Sequence, residues 1–249
     1  MTEKNQSILS PKCLNQNSKP SLFCPGCGQS IFLRRFGFVI DELKVAKNVT
    51  IVTDIGCSLL AWNYYNIDTV QSHHGRSVPL AVGYKMANPR RIVIAMMGDG
   101  GAYAIGLQSL IHAAFRNNPI SAFVLNNTEY SMTGGQMAPT TIPNEITTTS
   151  PAGKNKDIFG AAFLGPELIK NLSNKNSFIA RSSVSNIVLL DQMIEKTIKS
   201  QCDDNFSMLE VLSLCPTNWK KDAKESFDFL TQMEKVYRIG EIKINEKKS

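Results

Sequence analysis

No run of this 249-residue chain is apolar for long enough to cross a bilayer, so nothing in the sequence supports a membrane-spanning role. The first twenty residues, MTEKNQSILSPKCLNQNSKP, lack the apolar core of a secretory signal, and the expected compartment is the cytoplasm. No internal repeat and no low-complexity tract is present, which sets aside solenoids and disordered scaffolds. The net charge of +6 and the pI near 9.0 come without any basic stripe interleaved with aromatics, so a nucleic-acid interface is not expected. The surplus fits acidic substrates or an acidic protein partner instead.

What is present is an ordinary globular composition, 43% apolar and 19% charged, in a length that one core accommodates. Three parts are expected: a flexible arm over residues 1–20, a single α/β domain over 21–219, and a C-terminal helix with a charged tail over 220–249. In a reducing compartment the six cysteines are ligands, nucleophiles or buried thiols rather than disulfides.

The chain is organised around Ile92 to Thr141. Ile92 to Met97 is a continuous apolar run of strand length that stops at Gly98-Asp99-Gly100, as expected of a strand buried on both faces of a parallel sheet. Leu107, Leu110, Ile111 and Ala114 then recur at helical spacing, and Pro119 marks the stop. A second buried strand, Ile120 to Leu125, ends in Asn126-Asn127. Strand, helix, strand makes a right-handed crossover, which brings Asp99 and Asn127 out side by side at the sheet edge where such folds bind ligands. A carboxylate, an amide oxygen and a backbone carbonyl from the loop beyond suit Mg²⁺, which completes its shell with phosphate oxygens and water. The glycines beside Asp99 admit a diphosphate to the backbone, and the following helix N-terminus offers it free N–H groups.

Other residues are aimed at the same edge. Cys24-Pro25-Gly26-Cys27-Gly28 is a Cys-x-x-Cys knuckle that alone serves zinc, an iron–sulfur cluster or thiol redox equally well. Val49 to Thr53 reads as a strand, and the turn Asp54-Ile55-Gly56-Cys57-Ser58 leaves its carboxyl end. His74-Gly75-Arg76 precedes a helix from about Val78 to Met86; a guanidinium fork or a titratable ring there suits phosphate or a substrate carboxylate. Thr128 to about Asp157 is a long loop rich in hydroxyls, glycine and proline, a kind of segment that is normally functional. A helix near Ala161 to Asn171, a strand Ser177 to Ala180, a helix with Ile187, Leu190, Ile194 and Ile198 on one face, and a last strand Met208 to Ser213 complete the domain. The last strand ends in Cys215-Pro216-Thr217-Asn218-Trp219. Cys13 and Cys202 have no partner at ligand spacing.

With these pieces collected, the chain resembles the β subunit of the 2-oxoacid:ferredoxin oxidoreductases, the subunit that carries thiamine diphosphate (ThDP). The resemblance rests on CPGCG at 24–28, DIGCS at 54–58, HGR at 74–76, the GDG-to-NN interval, YSMTGGQMAPTT at 130–141, TTTSP at 147–151 and CPTNW at 215–219, and leans toward the 2-oxoisovalerate and 2-oxoglutarate members. It implies a mostly parallel sheet with helices on both faces, and Mg²⁺ held by Asp99, Asn127 and the backbone carbonyl of Glu129. It further implies Gly98, Gly100, Thr133, Gly134 and Ser58 near the cofactor, His74 and Arg76 as catalytic residues, and Cys24, Cys27, Cys57 and Cys215 as ligands of one [4Fe–4S] cluster. Three residues depart from the family pattern: Gly101 stands where an acid is common, Ser131 where glycine is usual, and Gln29 where histidine is frequent.

The implied reaction is oxidative decarboxylation of a 2-oxoacid to acyl-CoA and CO₂, with electrons passed through the cluster to ferredoxin. The chain has no evident glutamate for the aminopyrimidine of ThDP, so the resemblance implies an α subunit, with γ and δ subunits or fused equivalents, as obligate partners. Two other readings share these residues: a non-redox ThDP lyase or synthase, and a Cys₄ zinc-binding interaction module.

Overall fold

The structure, a computed structural model, describes residues 10–15, 17 and 21–243. In chain order its principal elements are α1 (Gly28–Glu42), β1 (Val49–Thr53), β2 (Asp68–Gln71), α2 (Ser77–Ala87), β3 (Ile92–Gly98), α3 (Leu107–Phe115), β4 (Ser121–Asn126), β5 (Glu129–Tyr130), β6 (Gln136–Met137), α4 (Lys156–Phe159), α5 (Gly165–Leu172), β7 (Phe178–Ser183), α6 (Ile187–Cys202), β8 (Ser207–Leu212), α7 (Pro216–Trp219), α8 (Ala223–Val236) and β9 (Gly240–Lys243). Seven strands form one sheet in the order β2-β1-β3-β4-β8-β7-β9, and every pairing is parallel except β7 with β9.

Alternation along the buried strands divides the core in two. Ile94 and Met96 of β3, Phe123 and Leu125 of β4 and Leu209 and Val211 of β8 face α1, α6 and α8, through Phe32, Phe36, Ile194 and Leu230. Val93, Ala95 and Met97, with Ala122, Val124 and Met208, face the other way, against Val78 and Ala81 of α2, Leu110 and Ala114 of α3 and Ile169 of α5. Both strand faces are covered by helices, which is why β3 reads in the sequence as an unbroken apolar run and β1 and β4 as largely apolar ones.

Register fixes the site. Gly98 lies opposite Leu125, and Asn126 opposite Leu212, so Asp99, Asn127 and the segment after β8 leave the sheet together. The Cys-x-x-Cys knuckle is pinned to that last segment: the Gly28 N–H donates to the Leu214 carbonyl at 3.0 Å, and a Cβ on Gly28 would sit 2.3 Å from the Leu214 nitrogen. Only glycine lets α1 begin this close to Cys215.

Two strands of the seven-stranded sheet escape the sequence reading, and both lie at its edges, as does the short β5–β6 hairpin within the expected loop. β2 (DTVQ) has exposed ends and no apolar run, and β9 falls within the stretch expected to be a charged tail, so Met208 to Ser213 is not the last strand. α5 is also shorter than expected and starts later, at Gly165. The arm is corrected in its described part. Cys13 is buried, its thiol donates to the Gly37 carbonyl at 3.5 Å, and its N–H donates to the Asp41 carboxylate at 3.2 Å. Leu14 bridges to Tyr65. Residues 1–9, 16, 18–20 and 244–249 lie outside the described residues.

Candidate active site

At the carboxyl edge of β1, β3 and β4 a cavity of about 290 Å³ opens among Gln29, Gly56, Cys57, His74, Gly98, Asp99, Gly100, Asn127, Glu129, Ser131 and Thr133. Asp99 comes from the end of β3 and is 2% exposed; its carboxylate accepts a hydrogen bond from the Thr140 hydroxyl. Asn127 comes from just beyond β4. Its Nδ2 donates to the Ser131 hydroxyl at 2.6 Å, which leaves the amide oxygen for the cavity, and its carbonyl accepts from Trp219 Nε1 at 3.3 Å. Glu129 opens β5, so the crossover and the hairpin after it bring the three expected Mg²⁺ ligands into one wall.

The long loop is folded rather than loose. Thr140 and Thr141 are fully buried, the Thr141 hydroxyl donates to the Thr128 carbonyl, and Lys154 Nζ donates to the Thr141 carbonyl at 2.8 Å. Tyr237, at the end of α8, donates its hydroxyl to the Thr140 carbonyl, so the C-terminal helix braces the residue that holds Asp99.

Burial dominates the electrostatics. It lifts the Asp99 carboxyl to about 7, with the Glu210 charge adding to the effect and the Thr140 hydroxyl opposing it. It lifts Glu129 to about 8, with Asp99 adding. Neither Glu129 oxygen has a hydrogen-bond partner, nor do Gln29 Oε1, Asp54 Oδ2 and Ser58 Oγ. A wall built from buried oxygen acceptors and crowded carboxyls suits a hard cation with an anionic ligand, since a metal supplies the charge those oxygens lack. The donors present therefore fit Mg²⁺ with a diphosphate.

The cysteines gather beside the same cavity. Cys57 lines it at the start of a 3₁₀ turn, Cys57–Asn63. Burial pushes the Cys57 thiol up to about 12, and the charges of Cys27, Cys215, Cys24 and Asp99 push in the same direction. Cys27 is lifted to about 11, again mainly by burial, with Cys215 and Cys24 contributing. The four expected ligands thus feel one another. Among the described residues, however, no three His, Cys, Asp or Glu side chains converge closely enough to hold one metal ion. In a four-iron cluster the thiolates are shared out among several irons, and Cys24, Cys27, Cys57 and Cys215 are the residues that would hold one.

Chain comparison agrees with the geometry. Residues 54–164 match the thiamine pyrophosphate enzyme, C-terminal TPP binding domain. The chain is 36% identical over 222 residues to the ketoisovalerate oxidoreductase subunit VorA of Methanothermobacter thermautotrophicus, covering 87% of this chain and 46% of that one. It is 35% identical over 207 residues to the 2-oxoglutarate synthase subunit KorB of Methanothermobacter marburgensis, covering 83% of this chain and 70% of that one. The chain belongs to the 2-oxoacid:ferredoxin oxidoreductase β subunits. This β subunit spans about half the length of the VorA relative. A solved 2-oxoglutarate:ferredoxin oxidoreductase from Magnetococcus marinus, with 2-oxoglutarate, coenzyme A and succinyl-CoA bound, shares the fold at a TM-score of 0.80 and 21% identity, over 96% of this chain and 86% of that one. The expected family and α/β class hold.

Not every expected residue of this β subunit reaches the cavity. His74 lines it, but Arg76 is exposed, donates to the Gly75 and Ile105 carbonyls at 3.4 and 3.3 Å, and faces a separate groove with His112 and Arg116. Ser58 is buried behind the wall, and Thr133 but not Gly134 lines the cavity. The absence of an acid at Gly101 has a steric cause. A Cβ there would lie 1.8 Å from Asp54 Oδ2, and Asp54 is held by the Gly75 N–H at 2.8 Å. Gly101 also opens a single π turn, Gly101–Ile105, a distortion frequent at functional sites and invisible to a helical-period reading. The Glu129 side chain, expected to matter only through its backbone, lies near Gly135 and Asn218 on the Cys215 side.

Glu145 gives a test of these buried charges. Its carboxylate accepts from the Thr128 hydroxyl at 2.5 Å and the Ile142 N–H at 2.8 Å, yet burial still lifts it to about 8, with the Glu129 and Asp99 charges adding and Lys154 nearby. The folded chain keeps this proton while an unfolded chain, with a value near 4.5, has lost it. Stability from this group is therefore fully present below about 4.5 and lost as pH rises toward about 8. The melting temperature of the ligand-free chain should fall across that window. Glu145→Gln should flatten the slope without abolishing it, because Asp99 and Glu129 are shifted the same way.

Proposed function

We propose that this β subunit, assembled with an α subunit, oxidatively decarboxylates a 2-oxoacid to acyl-CoA and CO₂, the electron pair leaving one electron at a time through a [4Fe–4S] cluster to ferredoxin. The observation that carries the reading is that Cys57 shares a cavity wall with Asp99 and Asn127 while standing within electrostatic reach of Cys24, Cys27 and Cys215. A ThDP site and an electron exit are thereby adjacent.

ThDP supplies the electron sink that lets the bond to the substrate carboxylate break. The chain's own residues do the holding. Asp99, the Asn127 amide oxygen and the Glu129 carbonyl would bind Mg²⁺, and Thr140 fixes the Asp99 carboxylate for that task. Gly98 and Gly100 leave room for the diphosphate, and Thr133 closes the wall beside them. His74 faces the reaction space, and the Arg76 guanidinium secures the turn that carries it. Cys24, Cys27, Cys57 and Cys215 would ligate the cluster, whose iron stabilises thiolates that burial alone disfavours.

Ile105, Tyr130 and Met132 edge the cavity with exposed apolar surface, which fits a site completed by another subunit. The assembled complex, purified without oxygen, should contain about four irons per β chain and absorb broadly in the visible, bleaching with dithionite. It should oxidise pyruvate, 2-oxoglutarate or 2-oxoisovalerate with coenzyme A, and the comparison of the three fixes the substrate. The isolated chain should not. Full activity without a partner would overturn the split site, and a colourless, iron-free complex that still turns over a 2-oxoacid would favour the non-redox lyase.

A further inference from the structure

The chain leaves the seven-stranded sheet through one unusual residue. β4 ends at Asn126 and the β5–β6 hairpin begins at Glu129, so two residues carry the backbone from one sheet to the other. Thr128 makes that turn at a φ of 65°, in the left-handed region. The other non-glycine residues with positive φ that the structure describes are lysines, asparagines and an aspartate, none of them buried. Thr128 is fully buried and β-branched, the side-chain type least suited to such a backbone. Glycine would adopt it freely.

Strain of this kind persists only where the surroundings over-determine it. Here every polar group of Thr128 is engaged. Its N–H donates to Asn126 Oδ1 at 3.0 Å, and its carbonyl accepts from the Thr141 hydroxyl. Its own hydroxyl shares one proton between the Asn127 carbonyl at 2.6 Å and Glu145 Oε1 at 2.5 Å. Asn126 is anchored in turn on buried Glu210 at 3.2 Å, and Glu145 on the Ile142 N–H at 2.8 Å. The tethers therefore come from β4 and from the long loop together. The residues on either side, Asn127 and Glu129, line the cavity, while Thr128 stands behind its wall.

We propose that Thr128 is a positioning residue, whose hydroxyl locks the left-handed turn and so sets the Asn127 amide and the Glu129 carbonyl for a cation before it arrives. The inference rests on the reading that Asp99, Asn127 and the Glu129 carbonyl hold Mg²⁺.

The test is ThDP binding to the assembled complex, followed by titration calorimetry across a series of Mg²⁺ concentrations, for wild type, Thr128→Ser, Thr128→Gly and Thr128→Val. Serine keeps the hydroxyl and should bind as wild type does. Glycine keeps the turn without strain but loses the tether, and the Mg²⁺ concentration for half-maximal binding should rise about tenfold, the lower end of what losing support for a metal ligand costs. Valine keeps the branched shape without the hydroxyl and should be weakened at least as far. A glycine variant with the wild-type Mg²⁺ requirement would overturn the proposal, because backbone direction alone would then suffice. A serine variant as weak as glycine would overturn it too. A wild-type complex that binds no ThDP at any Mg²⁺ concentration would overturn the cofactor reading itself, and the positioning role with it.

Discussion

Replacing Arg181 by methionine should cost this protein about 3–5 kcal/mol of stability, the range for breaking a buried ion pair by removing one partner. The Arg181 side chain is fully buried in β7. Its Nη1 and Nη2 donate to the two Glu167 oxygens at 2.7 Å each, its Nε donates to Glu210, and its guanidinium lies 5.3 Å from the Tyr237 ring centroid. Burial works against the charge, but Glu210 and Glu167 more than offset it and hold the guanidinium firmly protonated. Glu210 is equally buried, so without the arginine it would be a stranded carboxylate held only by the Tyr103 hydroxyl at 2.7 Å and Asn126 Nδ2 at 3.2 Å. At roughly 2–4 °C per kcal/mol for a chain of this size, calorimetry should register a fall on the order of 10 °C. The double variant Arg181→Met/Glu210→Gln should recover much of the loss, because the remaining Glu167 is 35% exposed and water can solvate it. A single variant that melts with wild type would show that the cluster contributes no net stability.

Asp99→Asn should act in opposite directions on cofactor binding and on the empty fold. Asparagine keeps an oxygen for the Thr140 hydroxyl but removes the charge, and affinity for ThDP in the presence of Mg²⁺ should drop by about 100-fold or more, equivalent to ~2.7 kcal/mol. Titration calorimetry reads this directly. Burial already lifts the native carboxyl to about 7, so near neutral pH the same substitution should raise the melting temperature of the ligand-free chain. A site shaped for a cation is strained without one, and both signs are needed to support that account. Loss of binding together with loss of stability would instead identify Asp99 as structural.

The parts of the fold legible in the sequence are those where both faces of a strand are covered. β1, β3 and β4 announce themselves as apolar runs, and their ends deliver Cys57, Asp99 and Asn127 to one cavity. β2 and β9 were illegible because edge strands share their surface with solvent and carry no such run. Arg181 and Glu210 sit in strands where a charge argues against burial, and nothing in the order of residues reveals that they pair. Arg76 illustrates the limit for the site. Only Gly75 separates it from His74, yet the turn there sends one side chain into the cavity and the other into a neighbouring groove. The sequence also showed Ser131 only as an unusual residue, because its contacts are with Asn127 and Asn218, the latter far along the chain.

The contact between Tyr237 and Thr140 bears on how this subunit matures. Residues 54–164 carry most of the ThDP motif, but the brace behind Asp99 is supplied by Tyr237, which lies well beyond that span. A chain folded only through that span would hold every expected metal ligand in an unsupported cradle, so cofactor loading should await synthesis and docking of the helix that carries Tyr237.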